Sequence, residues 1–403
     1  MLIIVLYEDD GYVDLLPIVW WRTVFELRVG RKIFLDRTPQ RLGAPVAGIW
    51  TRQWLATVAA QRCGAPANRP VEAGHVLVNG RWLFEEAVTF PPGPCVGEVD
   101  GDVAFVVCDD RLARELSATV MLNREARTTI LSSIERVSAP GRLIRYPWDI
   151  VARLGDLITA DWRPADASIE GEVAGHAHVG PANQIHIGQA TTVHPTAVID
   201  ASKGPIYISH HVSIGPYAVI EGPAYVGPGC LVNPHAWLKG PNAIGPVCKV
   251  GGELDGCVFH GYSNKQHSGF LGHAYVGSWV NIGAGATNSD LKNTYSTVRV
   301  PGERGDVDTE QVLFGAIIAD HVKIGINATI PAGAVIGFAA NISSSQVIPK
   351  RIPSFAWVTE MGIRDGDPER LLDVATRAMA RRSVDMTDEE VELFLDLGTR
   401  ARG

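Results

Sequence analysis

Apolar residues recur through the middle of this chain with a period of six. Every sixth residue from 208 is aliphatic: Ile208, Ile214, Ile220, Val226, Val232, Leu238, Ile244 and Val250. Runs in other phases hold Ile187, Val193 and Ile199, then Phe270, Val276 and Ile282, then Val312, Ile318, Ile324, Ile330, Ile336, Ile342 and Ile348. Neither the helical period nor strand alternation gives six, so the pattern predicts a repeat architecture. A short strand points one aliphatic residue into a narrow interior, and a sharp turn follows. Small residues after the apolar one, as in Ile214-Gly215 and Val226-Gly227, permit that turn. Three sides make a coil that buries its face on its neighbours, and about seven to nine coils are expected. The period breaks at 200–207, 251–269 and 288–311, which are expected to be loops at corners.

The flanks read differently. Residues 1–155 lack the repeat. Strand-like runs Leu2–Leu6, His75–Val78 and Val103–Val107 alternate with helix-like runs Trp50–Gln61 and Arg111–Met121, predicting a small α/β domain. A connecting helix is expected from Pro147 to about Asp161, ended by Pro164. The solenoid then occupies 156–357 and a helical tail 358–403. Asp367-Pro368 is an N-cap and first-turn pair, and Thr387 with Glu390 forms a capping box. Helices over 368–382 and 388–397 are expected to cover the solenoid end or a neighbouring subunit.

Charge and composition narrow the function. With 36 basic and 44 acidic residues the net charge is −8, which argues against a general electrostatic grip on nucleic acid or anionic membrane. No run of 18 apolar residues exists, so no membrane-spanning helix is expected. Met1–Leu6 is followed at once by Tyr7-Glu8-Asp9-Asp10 and reads as a buried strand, not a signal peptide. The six cysteines are scattered without a CxxC pair, which suits free buried thiols in a reducing cytoplasm. His176, His178, His186, His194, His210, His211 and His235 are read as solvent-facing rung residues.

Reactive side chains crowd the segment from Gly251 to Tyr295, which holds Glu253, His260, His267, His273 and Asn281. A histidine can remove a proton from an amine or hydroxyl as it attacks a thioester. Glu253 would orient that histidine or bind the acceptor. Asn281 or backbone N–H groups would stabilise the tetrahedral oxyanion, although asparagine ladders also stabilise solenoid corners. His260 and His273 are read as structural.

The repeat resembles the left-handed parallel β-helix of hexapeptide-repeat acyltransferases. The stretch around His267 resembles the acetyltransferase half of the bifunctional N-acetylglucosamine-1-phosphate uridyltransferase/glucosamine-1-phosphate acetyltransferase family. In that family a Glu lies fourteen residues before the catalytic His and a V-N-[IL]-G-A-G rung fourteen after it; Glu253, His267 and Asn281 keep that spacing. Tyr-Ser-Asn-Lys-Gln-His267 and Ser-Asp-Leu-Lys-Asn-Thr-Tyr295 are closer to a branch of sugar-nucleotidyltransferase-like proteins. The resemblance implies His267 as general base, with Glu253 and Asn281 at the acceptor. It implies a sugar site drawn from Tyr262, Asn264, Lys265, Asp290, Lys292 and Tyr295. Acetyl-CoA would lie between adjacent solenoids of a homotrimer, near Ala332, Lys323, Lys350 and Arg351. Two departures weaken the usual acceptor, glucosamine 1-phosphate. The family's phosphate-contacting lysine is Asp255 here, and its tyrosine three after the histidine is Phe270.

The N-terminal segment resembles a divergent sugar nucleotidyltransferase. Leu16-Pro17 survives, but Glu8-Asp9-Asp10-Gly11-Tyr12-Val13-Asp14 replaces the glycine loop that cradles phosphates. Those carboxylates would repel a triphosphate unless Mg²⁺ intervened. Arg22 and Arg28 remain as candidate nucleotide ligands, and Asp109-Asp110 as a Mg²⁺ site if the domain is active. Three readings stay open: an acyltransferase, a bifunctional enzyme that also joins a sugar 1-phosphate to an NTP, and a non-catalytic sugar-nucleotide scaffold.

Overall fold

A computed structural model of the chain describes residues 2–173 and 178–402, so the reading of His176 lies outside the described residues. The chain folds as two units. One comprises 1–27, 32–146 and 387–393; the other comprises 28–31, 147–386 and 394–403.

In the first unit a six-stranded sheet runs in the order Val46–Trp50, Ile4–Tyr7, Val76–Asn79, Asp102–Val107, Cys95–Val99, Arg136–Ser138. The first three strands are parallel. Ile4–Tyr7 and Val76–Asn79 are buried along their whole length, which explains apolar runs such as Ile-Val-Leu-Tyr. Trp50 ends a strand, and the helix expected from it begins only at Ala56 and runs to Cys63. The helix expected over 111–121 is two, Asp110–Glu115 and Ala118–Leu122, because Ser117 caps a new start by accepting from Val120 N.

In the second unit the period becomes a parallel β-solenoid with faces of ten, eleven and six strands. The first face has ten rungs, so the coils exceed the expected number, and its first strand is Ser168–Ile169. The aliphatic residues at 208 through 250 all point inward and are buried. At about 1.5–3 kcal/mol per fully buried aliphatic side chain, this ladder is the main source of stability in the unit. Phe270 and Val312 are corrections to the pattern. Leu271 takes the inward slot beside Phe270, and Val312 is 44% exposed.

The segment 251–269 is not a loop. It contains strands Glu253–Asp255, Val258–Gly261 and Asn264–Lys265. Three six-residue sides make a coil of 18 residues, as from Val219 to Trp237; here Ala243 pairs with Val258, an offset of 15, and Asn264 with Asn281, an offset of 17. Shortened sides, not a departure of the chain, break the period. By contrast the expected loop at 288–311 does leave the solenoid after Asn288, and it holds an antiparallel hairpin of Arg299–Gly302 and Gly305–Asp308.

The connecting helix is two, Pro147–Ala152 and Leu154–Ala160, and Gly155 packs beside Pro241 of the solenoid. At the far end the last parallel strand, Ala356–Thr359, receives an antiparallel one, Gly362–Asp365. Helices Pro368–Ala380 and Asp388–Arg400 follow. Asp367 caps the first through Glu369 N at 3.1 Å. The capping box is formed: Glu390 N donates to Thr387 Oγ1 at 3.2 Å, and Thr387 N to Glu390 Oε2 at 3.1 Å. Phe394 joins Phe338 and Phe355 in an aromatic cluster. No helix among the described residues is long and apolar enough to cross a membrane. All six cysteines are free thiols, and all but Cys63 are buried.

Candidate functional site

His267 lies at the corner between the second and third faces, after the strand Asn264–Lys265 and before Phe270–Gly272. Its side chain is exposed. The corner is tight. Asn233 Nδ2 donates to Gln266 O at 2.9 Å, and Gly252, at φ +71°, sits where a Cβ would come within 2.7 Å of His267 O. Glu253 flanks the corner on the third face, its N donating to Gly269 O at 3.4 Å. Asn281 flanks it on the second face, exposed, beside Asn264. The three family-spaced residues therefore share one corner, although no hydrogen bond among the described residues joins their side chains.

Lys265 corrects the expected sugar site. It occupies an inward slot of the ladder, between Val250 and the next rung, and is wholly buried. Its ammonium donates to His267 O at 2.6 Å and Gly251 O at 3.3 Å. Burial pushes it down to about 8. It meets the corner from inside and has no surface to offer a sugar. Asn288 fills another inward slot, paired with Ile330, and bonds both the N–H and the carbonyl of Gly272.

A second histidine is better oriented than the sequence suggests. His273 Nδ1 lies 2.8 Å from Asp290 Oδ2, both side chains partly exposed. Asp290 is thus engaged with His273. Asp255, at the place of the missing phosphate lysine, forms an ion pair with Lys239 at 2.9 Å. Lys292 Nζ donates to Ser296 Oγ and Thr297 O within the inserted loop, and Tyr295 stands 74% exposed beside it.

The second face also forms one wall of a cleft of about 390 Å³ whose other wall is the helix Pro368–Ala380 and the residues just after it. Tyr262, Asn264, Asn281 and Lys323, assigned above to different ligands, meet there. Sequence reasoning missed Lys249, Arg377, Arg381 and Arg382, which complete it. The available signal was Arg377 and Arg381 four residues apart, on one helix face. Lys323 Nζ donates to the carbonyls of Trp279 and His321 at 2.7 and 2.9 Å, and burial pushes it down to about 7.

The other expected coenzyme residues lie apart from that cleft. Ala332 is nearly buried on a late rung. Arg351 is engaged by Gly302 O and Glu303 Oε1, both at 2.9 Å, so its guanidinium is already committed to the inserted hairpin. Lys350 is held below its ordinary range, by burial first and then by Lys292 and Arg299.

In the first unit three of the four carboxylates that replace the glycine loop, Glu8, Asp9 and Asp10, are neutralised by arginines. Glu8 takes Arg52 Nε and Nη2 at 3.0 and 2.9 Å, with both side chains buried. Asp9 takes Arg81 Nε and Nη2 at 2.8 and 2.7 Å. Asp10 takes Arg124 at 2.9 Å and Arg127 at 2.7 Å. In open α/β sheets ligands bind outside the carboxyl ends of the parallel strands. Here that place, after Tyr7 and Asn79, is filled by guanidinium groups. A Cβ on Gly11 would lie 2.6 Å from the Arg81 guanidinium. The Mg²⁺ expectation does not fit this donor set. Asp109 is likewise a helix cap, accepting from Leu112 N at 2.8 Å. No group of three or more His, Cys, Asp or Glu among the described residues converges to hold a metal ion.

Arg22 is buried, and its carbonyl accepts from Arg52. Arg28 belongs to the solenoid unit, where its guanidinium donates to His260 O and Arg31 O and lies over the Tyr225 ring. That packing is a correction to its expected place at a nucleotide.

Residues 4–167 match the family model described as sugar nucleotidyl transferase. The chain thus carries an N-terminal domain of that type, followed by a parallel β-solenoid of about ten turns and C-terminal helices. Among curated proteins, the bifunctional sugar-1-phosphate nucleotidylyltransferase/acetyltransferase of Sulfurisphaera tokodaii (strain DSM 16993 / JCM 10545 / NBRC 100140 / 7) is 30% identical over 86 residues. That match covers 21% of this chain and 21% of the relative's length. Among solved structures, a UDP-N-acetylglucosamine acyltransferase aligns over 51% of this chain and 77% of its own, at 12% identity and a TM-score of 0.21.

Proposed function

We propose that this chain is a transferase of sugar-nucleotide metabolism whose solenoid moves an acyl group from acetyl-CoA to an amino sugar, sugar phosphate or sugar nucleotide. The observation that carries it is the placement of Glu253, exposed His267 and Asn281 on neighbouring coils beside one corner. The acceptor nitrogen attacks the thioester carbonyl carbon as the His267 imidazole takes its proton. Asn281 donates to the developing oxyanion. Collapse breaks the C–S bond, and the imidazolium returns the proton to the departing coenzyme sulfur. Lys265 holds the backbone of this corner from within. Assembly as a cytoplasmic homotrimer, with the coenzyme between solenoids, belongs to the same proposal.

The His273–Asp290 pair favours a second reading, in which His273 is the base and Asp290 orients it. Nucleotidyl transfer by the N-terminal domain is disfavoured, because paired carboxylates and arginines fill the phosphate cradle.

The test is thiol release from acetyl-CoA by wild type, His267→Ala and His273→Ala, with amino sugars, their 1-phosphates and UDP-sugars as acceptors. Release that needs one acceptor and collapses only in His267→Ala is expected. Equal release by wild type and His267→Ala overturns His267 as base, and collapse only in His273→Ala moves the role there. No release with any acceptor overturns acetyl transfer.

A further inference from the structure

The cleft beneath the helix Pro368–Ala380 holds more positive charge than its own structure uses. Lys249, Lys323, Arg377, Arg381 and Arg382 line it, and no carboxylate does. Arg377 pairs with Asp373 on its own helix. Arg382 donates to Asn264 Oδ1 at 2.6 Å, a neutral acceptor. Lys249 and Arg381 form no ion pair among the described residues. Lys249 is held below its ordinary range by burial first, then by the charges of Arg382 and Arg381. Cations in the last helical turn are favoured by the helix dipole, which accounts for Arg381 and Arg382. It does not account for Lys249 on the opposite wall, brought against them without a counter-charge.

Size and shape narrow the missing anion. About 390 Å³ is the size of a small-molecule site. Guanidinium groups match phosphate oxygens in pairs, and Lys249 adds a point charge. Tyr262 and Trp279, stacked with centroids 4.4 Å apart, give the cleft a flat aromatic side.

We propose that this cleft binds the diphosphate of a nucleotide, with its heterocycle against the Tyr262 side. Coenzyme A and sugar nucleotides both carry that chemistry. The site is independent of which histidine acts as base.

Calorimetric titration of the full chain with inorganic pyrophosphate, UDP and coenzyme A tests it by binding alone. Saturable binding of pyrophosphate at low ionic strength is expected, weakening as salt is added. Arg381→Ala and Lys249→Ala should each weaken it by about 10-fold or more, the value of a charge-assisted hydrogen bond. Lys203→Ala, which removes an exposed lysine paired with Glu221, should leave it unchanged. UDP should bind more tightly than pyrophosphate and lose that advantage in Tyr262→Ala. Tighter coenzyme A than UDP identifies the acyl carrier as the source, and the reverse identifies a sugar nucleotide. Absence of pyrophosphate binding by folded protein, or binding indifferent to both Arg381→Ala and Lys249→Ala, overturns the proposal.

Discussion

Lys265 offers a direct measurement of what the solenoid interior costs a charge. It stands in a slot otherwise taken by Val232, Val250, Ile282, Ile324 and Ile342 along the same ladder. Burial pushes its ammonium from an ordinary 10.5 down to about 8. At about 1.4 kcal/mol per pH unit, that gap amounts to about 3 kcal/mol of destabilisation while the lysine is charged. The two carbonyl acceptors, Gly251 O and His267 O, offset part of it, so about 3 kcal/mol is the upper bound. The sign follows from proton counting. Between about 8 and 10.5 the unfolded chain keeps the proton that the folded one has released, so stability rises with pH. The penalty is complete below that window and absent above it. Lys265→Met keeps the length and removes the charge. Urea unfolding of both proteins from pH 7 to 10.5 should show wild type gaining on the variant by up to about 3 kcal/mol, all of it in the upper part of that range. A difference that stays constant with pH would refute a charged lysine in this slot.

Asp9→Asn should destabilise the chain by about 3–5 kcal/mol in urea unfolding, because it leaves the Arg81 guanidinium buried without its partner. Burial works to raise the Asp9 carboxyl, but the Arg81 charge and the hydrogen bonds from Arg81 and Asn79 outweigh it and hold it low. Its stabilisation is therefore present above the ordinary carboxylate range and lost on acidification, a loss that Asp9→Asn should not show. Thr387→Ala should cost about 1 kcal/mol by removing the capping box, visible as a lower thermal midpoint. Gly252→Ala should cost about 1–3 kcal/mol, since φ is +71° and the new Cβ meets His267 O. If the His267 corner is the active site, thiol release should fall in that variant by more than its stability explains.

The solenoid was legible wherever a narrow interior demands an aliphatic residue every sixth position. It faded between 251 and 269 for two physical reasons. The sides there are shorter, and two inward slots nearby are filled by Lys265 and Asn288, whose polarity hides them from a hydrophobic count. The His273–Asp290 pair was within reach of sequence. The two residues are 17 apart, the same offset that sets Asn264 beside Asn281, so one coil brings them together. The basic cleft was not, because a wall near 250–323 and a helix near 377 share no period. In the first unit the acidic run Glu8–Asp10 read as repulsive toward phosphate. Its neutralising arginines, at 52, 81, 124 and 127, come from other elements and are invisible locally.

A parallel coil is a template for its own extension: each rung offers the donors and acceptors the next one needs, and so does the last. The antiparallel strand Gly362–Asp365 works as a chain terminator on that process. It occupies the growing edge of the second face with the wrong polarity for another rung, and all four of its residues, Arg364 and Asp365 among them, stand exposed. A second molecule arriving at this edge meets a reversed strand carrying charge, a known defence against edge-to-edge joining. Four residues thus close one edge of a repeat that would otherwise offer it for another rung.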